Sequence, residues 1–400
     1  MNILILCPKV PYPPIDGGAI ASLSLAKHLS QAGNNITMLA INTSKHSVES
    51  KDIPENIKEG LDLSIVDVNT DIKLSDALSN LLFSKLPYNG VRFFSKKFSE
   101  KLILLLKTQS FDIIQLEGLY MGLYYEIIRK HSDAPVIMRS HNVEHIIWQR
   151  NSKFEKNIFK KHYYKLLSKR IYSLEKLMTE KLDAYVPITE HDANIFRDMG
   201  AKIPLHIAMA GISKEESGNP LNVTYSSVFF IGAMDWIPNQ EGIKWFVDKV
   251  WPVIYKKYPD KKFHIAGRNA PDWLIEQFKR PGIIFHGEIP DAKKYMSEHG
   301  IMIVPLFAGS GMRIKILEGM SLGTIIITTS IGLEGIAAKA DEEIIVADTE
   351  NNFIEKICFV FENPDICRKI GEKARDFVFH NYDNDNIAKG LTSFYKSVIQ

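Results

Sequence analysis

Apolar and polar residues follow a changing period along the first forty positions of the chain. Residues 2–7 form a continuous apolar run of strand length, and residues 20–29 space their apolar side chains as in an amphipathic helix that Gly33 ends. Residues 36–41 form a second apolar run. Because strand, helix and strand follow one another, the segment predicts a β-α-β unit in a parallel sheet covered by helices.

The same alternation fills the rest of the chain with one interruption. Residues 211–227 are polar and contain glycine, which is typical of a linker. The pattern on each side predicts a doubly wound α/β domain, and the longest predicted helix of the second domain is 240–258. The further predicted strands are 63–68, 113–116, 136–139 and 184–188 before the linker, and 228–231, 263–266, 283–285, 301–305 and 324–328 after it.

This periodicity predicts two Rossmann-like domains. We expect the first to span 1–205, a linker to span 206–227 and the second domain to span 228–382, with a C-terminal helical segment at 383–400. Two doubly wound domains that face each other enclose a cleft, and ligands bind where the carboxyl ends of the strands open toward it.

Composition narrows the class of protein. The chain has 400 residues, of which 45% are hydrophobic and 24% charged, and this excludes disorder, collagen-like repeats and coiled coil. Its three cysteines form no CxxC pair, which argues against a disulfide framework or zinc ribbon and favours a reducing compartment. The N-terminal residues MNILILCP lack the basic region of a secretory signal, and no stretch reaches the roughly 18 apolar residues of a membrane span. We therefore expect a cytoplasmic protein.

The near-neutral total charge, with 49 Lys and Arg against 47 Asp and Glu, conceals two basic segments. Residues 85–107 carry six basic side chains against one Glu, and residues 150–181 carry ten against three. Both segments also contain aromatic residues, a mixture that suits an anionic membrane surface or a phosphate-bearing acceptor. Peripheral attachment to the inner face of the cell membrane is one interpretation, and two solvated helix faces are the other. We expect no nucleic-acid partner.

Two motifs of the first domain contain groups suited to ligand binding. Gly17 and Gly18 open a predicted helix after a Pro-rich loop, where backbone N–H groups and the helix dipole favour an anion, although a simple turn explains them equally well. The sequence RSHNVEH places Arg139, His141 and Glu144 just after a predicted strand. A histidine there is often structural, but three polar groups at one strand end favour a site that binds a sugar hydroxyl or a phosphate.

The most informative motif is GSGMRIKILEG in the second domain. Its Gly309, Ser310 and Gly311 follow a strand and open a helix, an arrangement that presents N–H donors to a phosphate. Arg313 and Lys315 lie in the first turn, where cations oppose the helix dipole, so we expect a diphosphate beside them.

Two further features extend this motif along the chain. Glu318 lies one turn below the predicted phosphate site, where it is suited to accept hydrogen bonds from both hydroxyls of a ribose, although a local ion pair with Lys315 is the alternative. Further on, Gly332 and Gly335 flank a strand end and permit close backbone approach.

Together these residues resemble family 4 of the GT-B glycosyltransferases. The similarity covers nearly the whole chain and rests on the Gly17–Gly18 loop, the His141 segment, FFIGAMDWIPNQEGIKWF, GSGMRIKILEGMSLG and SIGLEGI. It is greatest to bacterial group 1 members of polysaccharide assembly. The resemblance implies a GT-B fold, a nucleotide-diphosphate sugar held mainly by the second domain, an acceptor held mainly by the first, and transfer with retention of configuration. It also implies that the C-terminal helix crosses back to the first domain.

The resemblance assigns roles to named residues. It implies catalytic roles for His141, Arg313, Lys315 and Glu318, and acceptor- or sugar-orienting roles for Arg139 and Glu144. The donor-binding set that it implies is Gly17, Gly18, Gly232, Gly309, Ser310, Gly311, Gly332, Leu333 and Glu334.

The chain departs from the family pattern at three positions. The first of two family glutamates falls at Ser310, and a usual Arg and Lys fall at Ala233 and Asn239. These changes imply that Arg313 and Lys315 neutralise the diphosphate. They also remove the carboxylate that the family pattern has for the sugar at Ser310.

The expected function is therefore metal-independent transfer of a sugar from a nucleotide-diphosphate donor to a polysaccharide or lipid-linked glycan, with no cofactor. Fixed cations and N–H dipoles supply the stabilisation that a departing diphosphate needs. Two alternatives stay open: a non-hydrolysing nucleotide-sugar epimerase, which needs no acceptor, and a catalytically inactive GT-B homologue that acts as a binding partner.

Overall fold

The computed structural model describes residues 1–14, 16–214, 225–308 and 311–400. They divide into two compact units, one formed by Met1–Ala210 with Asn384–Gln400 and the other by Gly211–Asp383. The predicted linker 206–227 crosses the first boundary, and its residues 215–224 lie outside the described residues.

The N-terminal unit is built on a six-stranded parallel sheet with the strand order β3-β2-β1-β4-β5-β6. Its strands are β1 Asn2–Cys7, β2 Asn35–Thr43, β3 Leu61–Val68, β4 Ile113–Glu117, β5 Val136–Ser140 and β6 Ala184–Pro187. Its helices are α1 Gly17–Gln31, α2 Glu55–Lys58, α3 Leu74–Phe83, α4 Tyr88–Val91, α5 Lys96–Thr108, α6 Tyr125–Arg129, α7 Glu144–Phe154, α8 Ile158–Lys181 and α9 Glu190–Asp198, with the C-terminal helix Asn384–Ile399.

The first β-α-β unit shows why these residues fold as they do. All residues of β1 after Asn2 are buried, because helices cover both faces of a parallel sheet and a continuous apolar strand satisfies both. Asp16 caps α1 by accepting a hydrogen bond from the Ala19 N–H. Gly33 follows the helix with φ 86°, a left-handed conformation that glycine adopts without steric cost.

The C-terminal helix belongs to the N-terminal unit. Ala388, Leu391 and Tyr395 are buried in the same core cluster as α1, and the Tyr395 hydroxyl donates to the Gln115 side chain of β4. At its start, Asn384 Nδ2 donates to Ser24 Oγ at 2.8 Å.

The C-terminal unit carries a second six-stranded parallel sheet, with the order β12-β11-β10-β7-β8-β9. Its strands are β7 Ser227–Ile231, β8 Lys262–Ala266, β9 Ile283–Gly287, β10 Ile301–Val304, β11 Ile325–Thr328 and β12 Ile345–Val346. Its helices are α10 Ile237–Trp245, α11 Trp251–Lys257, α12 Asp272–Gln277, α13 Ala292–Ser297, α14 Ile314–Ser321, α15 Ser330–Leu333, α16 Glu350–Glu362 and α17 Pro364–Asn381.

The predicted helix 240–258 differs from the structure. The helix begins earlier, at Ile237, and a π-helical turn at Phe246–Val250 separates α10 from α11. Pro252 in the first turn of α11 has no N–H to donate, and its ring excludes the carbonyl four residues earlier. The wider π turn accommodates this residue within a continuous helical path.

The predicted fold class, α/β with two doubly wound Rossmann-like sheets, is confirmed. Across the described ranges, no helix combines the length and the apolar character needed to cross a bilayer.

Candidate active site

A cavity of about 680 Å³ opens in the N-terminal unit at the carboxyl ends of its central strands. Its lining includes Lys9 after β1, Glu117 at the end of β4 and His141 after β5. Strand order reverses between β1 and β4, and ligand sites of doubly wound sheets form at such a switch point.

Glu117 organises the polar side of this cavity. Its Oε2 accepts hydrogen bonds from His141 Nε2 at 2.6 Å, from Ser22 Oγ at 2.6 Å and from Arg139 NH1 at 3.1 Å. Its Oε1 accepts from the Gln115 amide. Burial alone would raise the pKa of this carboxyl, but the charges of Arg139 and His141 outweigh burial and hold the pKa below its ordinary value. The ionised carboxylate therefore fixes the His141 ring through Nε2 and leaves Nδ1 as the nitrogen available to a ligand.

Arg139 is placed differently from the sequence-based expectation that it faces ligand. Its side chain is 1% exposed and paired with Glu117, which is 2% exposed. A buried arginine with a buried partner acts on a ligand through that partner, so Arg139 supports His141 indirectly.

Glu144 lies at the start of α7 beside a second carboxylate. Its backbone N–H donates to Glu175 Oε1 at 2.7 Å, and its Oε2 accepts from the Tyr120 hydroxyl at 3.5 Å. His145 Nδ1 lies 2.5 Å from the other oxygen of Glu175. Burial, followed by the charge of Glu175, raises the pKa of Glu144 to about 7. A carboxyl that titrates near neutrality and lines a cavity can both accept and donate a proton.

The helix start at Gly17 and Gly18 is already occupied by a carboxylate. Asp16 Oδ1 accepts from the Ala19 N–H at 3.0 Å, and Asp16 Oδ2 accepts from the Lys9 ammonium. Gly18 lines the cavity, whereas Gly17 is exposed and lies outside the lining. The Asp16 carboxylate would repel a phosphate at this helix end, and Lys9 is the cation beside it. Donor binding by Gly17 and Gly18 stays a prediction.

In the C-terminal unit, the side chain of Lys315 extends from α14 to the carboxyl end of β7. Its Nζ donates to the Ile231 carbonyl at 3.1 Å and to Asn239 Oδ1 at 3.3 Å, and it lies 4.7 Å from the Phe230 ring centroid. A Cβ atom added to Gly232 would lie 2.9 Å from Asn239 Nδ2 and 3.1 Å from the Lys315 nitrogen, so a residue with a side chain would crowd this hydrogen-bonded pair. Burial, followed by the charge of Arg313, lowers the pKa of Lys315 to about 7.

Arg313 directly precedes α14 and is 7% exposed. Its NH1 donates to the Gly311 carbonyl, and its guanidinium carbon lies 5.8 Å from the centroid of the Trp236 ring. Its charge acts on Lys315, which means that two cations share one neighbourhood. Two adjacent cations repel each other, and a bound dianion would offset that repulsion.

The other predicted donor-binding residues lie on α14 and around α15. Glu318 is half-buried one turn after Lys315, and Leu333 and Glu334 are half-buried at the end of α15. Gly332 is buried, and its N–H donates at 2.9 Å to Thr329 Oγ1, which caps that helix. Gly311 has φ 81°, a conformation that favours glycine. Gly309 and Ser310 lie outside the described residues.

Glu117 was not predicted as a site residue from the sequence, nor was Asn239 as the acceptor for Lys315. A signal for Glu117 exists in IIQLEG, where an acidic residue ends an apolar run just before a glycine. No local signal pairs Asn239 with Lys315, because 76 residues separate them.

Comparisons with known proteins agree with this architecture. Residues 226–363 match the family model "Glycosyl transferases group 1". An uncharacterized 44.6 kDa protein in the cps region of Klebsiella pneumoniae is 24% identical over 403 residues, which cover 98% of each chain.

Two solved structures share the fold over the whole chain. Sucrose-phosphate synthase from Thermosynechococcus elongatus has a TM-score of 0.73 at 15% identity and covers 100% of this chain and 99% of its own. Anabaena HepE in complex with UDP-glucose has a TM-score of 0.68 at 12% identity and covers 99% of this chain and 100% of its own. The protein therefore has the fold of the GT-B glycosyltransferases, and its residues 226–363 are similar to the group 1 glycosyltransferases.

Proposed function

We propose that the protein is a retaining glycosyltransferase of family 4 that moves a sugar from a nucleotide-diphosphate donor to a polysaccharide or lipid-linked glycan, without a metal ion. The observation that carries the proposal is the pair Arg313 and Lys315, two cations in one neighbourhood after β10, with the backbone of Gly232 close to the Lys315 ammonium. HepE, which shares the fold, has been solved with UDP-glucose bound.

The geometry supports a diphosphate at this place. The family's usual cations are replaced by Ala233 and Asn239, and the Lys315 ammonium donates to Asn239 at 3.3 Å. Lys315 thus supplies a positive charge from α14, beside the loop in which the family pattern has its usual Arg and Lys. Glu318, one turn further on, is proposed to bind the ribose hydroxyls of the donor.

In the proposed reaction, the bond between the anomeric carbon and the diphosphate oxygen breaks and a bond from that carbon to an acceptor hydroxyl oxygen forms. The hydroxyl proton is released, and the departing diphosphate gains negative charge that Arg313 and Lys315 stabilise. By analogy with single oxyanion donors, removal of one such cation costs about 2.7–4 kcal/mol in the barrier. His141, held by Glu117, is proposed to orient the sugar or a phosphate.

The decisive test is nucleotide binding followed by turnover. Lys315→Met removes the charge at nearly constant length, and Lys373→Met on the exposed surface of α17 in the same unit is the matched control. We expect UDP and UDP-glucose to bind the wild type and Lys373→Met in isothermal titration, with Lys315→Met weaker. If no nucleoside diphosphate binds the wild type, the proposal is wrong.

Turnover then separates the three functions. A transferase releases the diphosphate only when an acceptor is present, whereas an epimerase changes the nucleotide sugar without one, which NMR detects directly. An inactive homologue would bind the nucleotide and do neither with any acceptor fraction from a polysaccharide-producing cell.

We further propose that the acceptor is lipid-linked and that the N-terminal unit contacts an anionic membrane. Helix α3 exposes a row of leucines at one-turn spacing, Leu74 at 85%, Leu78 at 57% and Leu82 at 65%, and ends at Phe83, which is 85% exposed. Arg170 of the basic helix α8 donates to the Asn80 and Leu81 carbonyls, so the apolar row lies beside the exposed lysines of α8. An apolar helix face flanked by cations is typical of an interfacial helix.

The cavity and the apolar row share a neighbour. Ile72, two residues before α3, is 68% exposed and also lines the cavity that contains His141. A glycan in the cavity with its lipid toward Ile72 would have the lipid beside the exposed leucines, which supports a membrane-borne acceptor.

Cosedimentation with vesicles of phosphatidylglycerol and phosphatidylcholine tests this surface. We expect Leu82→Ser with Phe83→Ser, and separately Lys165→Glu with Lys169→Glu, to reduce sedimentation of the protein, while Lys369→Glu with Lys373→Glu on α17 does not. Equal sedimentation of all four proteins, or none of the wild type, would contradict the membrane proposal without affecting the nucleotide proposal.

A further inference from the structure

Three histidines of the C-terminal unit converge on the outer part of its sheet. His264 lies on β8, His286 on the edge strand β9 and His299 two residues after α13. Each offers one ring nitrogen, and these three nitrogens all lie within 4.8 Å of one another. None of the three is part of the proposed nucleotide site.

A β-bulge creates this convergence. Along β8 and β9, Ile265 pairs with Phe285 but the next residue, Ala266, pairs with Gly287, so His286 is the extra residue. Gly287, with φ 68°, permits the distortion. The result places His286 Nε2 at 3.0 Å from His264 Nδ1. Bulges often re-aim a side chain at a functional site, and here the re-aimed side chain is an imidazole.

The third histidine is held in the tautomer that a ligand needs. His299 Nδ1 lies 2.7 Å from the Tyr295 carbonyl, which can only accept, so Nδ1 carries the proton and Nε2 is left with its lone pair. A backbone carbonyl that fixes a ring in this way is the usual second partner of a metal-bound histidine. His299 is 8% exposed, and its ring centroid lies 4.5 Å from those of both His264 and Tyr295.

The spacing fits a small tetrahedral ion after slight movement of the rings. Zinc–nitrogen bonds of about 2.05 Å place two ligand nitrogens roughly 3.3 Å apart in a tetrahedron. The His264–His286 pair at 3.0 Å is already near this value, and the widest pair, at no more than 4.8 Å, needs closure by at most about 1.5 Å. Metal binding would also require the proton shared by that pair to move to the far nitrogen of its ring.

We propose that His264, His286 and His299 bind a divalent transition-metal ion, Zn²⁺ by preference. Three neutral imidazoles favour zinc, copper or nickel over calcium or magnesium, which prefer oxygen. The site leaves a fourth position for water, and it ties the edge strand β9 to β8 and to the segment after α13. Its role is separate from the proposed sugar transfer, which uses no metal.

The test uses the full-length protein without a histidine tag, stripped of metal with a chelator. We expect Zn²⁺ alone to bind with a stoichiometry of one in isothermal titration and to raise the Tm. His286→Gln should weaken binding by about 10- to 100-fold or more and abolish the Tm shift, since loss of a ligand exceeds the effect of losing its supporting group. His380→Gln, an exposed histidine on α17, is the matched control and should behave as the wild type.

His286 is exposed on an edge strand, so its replacement leaves the fold intact. Co²⁺ substitution gives a second measurement, because nitrogen-ligated tetrahedral cobalt absorbs in the visible range, and this band should be absent in His286→Gln. No Tm shift in the wild type, or equal zinc affinity in His286→Gln and His380→Gln, would overturn the proposal.

Discussion

The buried ammonium of Lys315 predicts that nucleotide affinity falls as pH rises above neutrality. Its pKa, ordinarily 10.5, is lowered to about 7 by burial and by the charge of Arg313. At pH 8 roughly nine in ten of the free protein molecules therefore carry a neutral Lys315. A diphosphate favours the charged form, so binding must first return a proton to this nitrogen.

The magnitude follows from linkage. Protonating a group one pH unit above its pKa costs about 1.4 kcal/mol, which is a tenfold loss of affinity. Between pH 7.5 and 9.0 the Kd for UDP should rise roughly 25-fold, and at pH 8 about 0.9 proton should be taken up per UDP bound. The nucleotide itself titrates near pH 6, outside this window.

Isothermal titration at several pH values, in buffers of different ionisation enthalpy, measures both quantities. Lys315→Met should bind UDP more weakly and without dependence on pH in this range, whereas Lys373→Met should retain the wild-type slope. If UDP binds the wild type with constant affinity and without proton uptake, the Lys315 ammonium does not meet the phosphates in the way we propose.

Three further predictions concern stability, measured by urea unfolding. Because the pKa of Glu144 is raised to about 7 from 4.5, the folded state binds more protons between these values, and the free energy of unfolding should fall by up to about 3 kcal/mol as pH rises through this window. Glu144→Gln should remove that fall, and parallel curves for the two proteins would refute the assignment. Glu117→Gln leaves a buried arginine without its counter-charge and should cost about 3–5 kcal/mol at neutral pH; a loss below about 1 kcal/mol would contradict the buried pairing. Gly242→Ala would place a Cβ atom 1.9 Å from the Pro305 carbonyl oxygen and should cost about 1–3 kcal/mol. Gly390→Ala, whose nearest neighbour lies at 3.8 Å within a helix, should instead stabilise by up to about 1 kcal/mol, and equal losses in both variants would disprove the packing argument.

The strands were predictable because a parallel sheet buries both faces of every strand. Runs such as those of β1 and β7 are continuously apolar in the sequence and buried in the structure. The helix predicted at 240–258 was less accurate, because the apolar period does not show the π turn at Phe246–Val250 that precedes Pro252.

The residues of the candidate site also differ in how far the sequence predicts them. The positions of His141, Arg313, Lys315 and Glu318 after strand ends could be predicted from the sequence, since strand ends and helix starts are local features. Three contacts became visible only in the folded protein. Glu117 accepts from His141, Lys315 donates to Asn239 across 76 residues of chain, and three histidines converge at a bulge: His264, His286 and His299.

Sequence patterns and tertiary contacts differ in the distance along the chain over which they act. Periodicity and turn chemistry act over a few residues and are written in the chain, so they specify elements and their ends. A pKa, an ion pair or a ligand cluster depends on burial and on which distant strands become neighbours. Those quantities exist only once the sheet has formed.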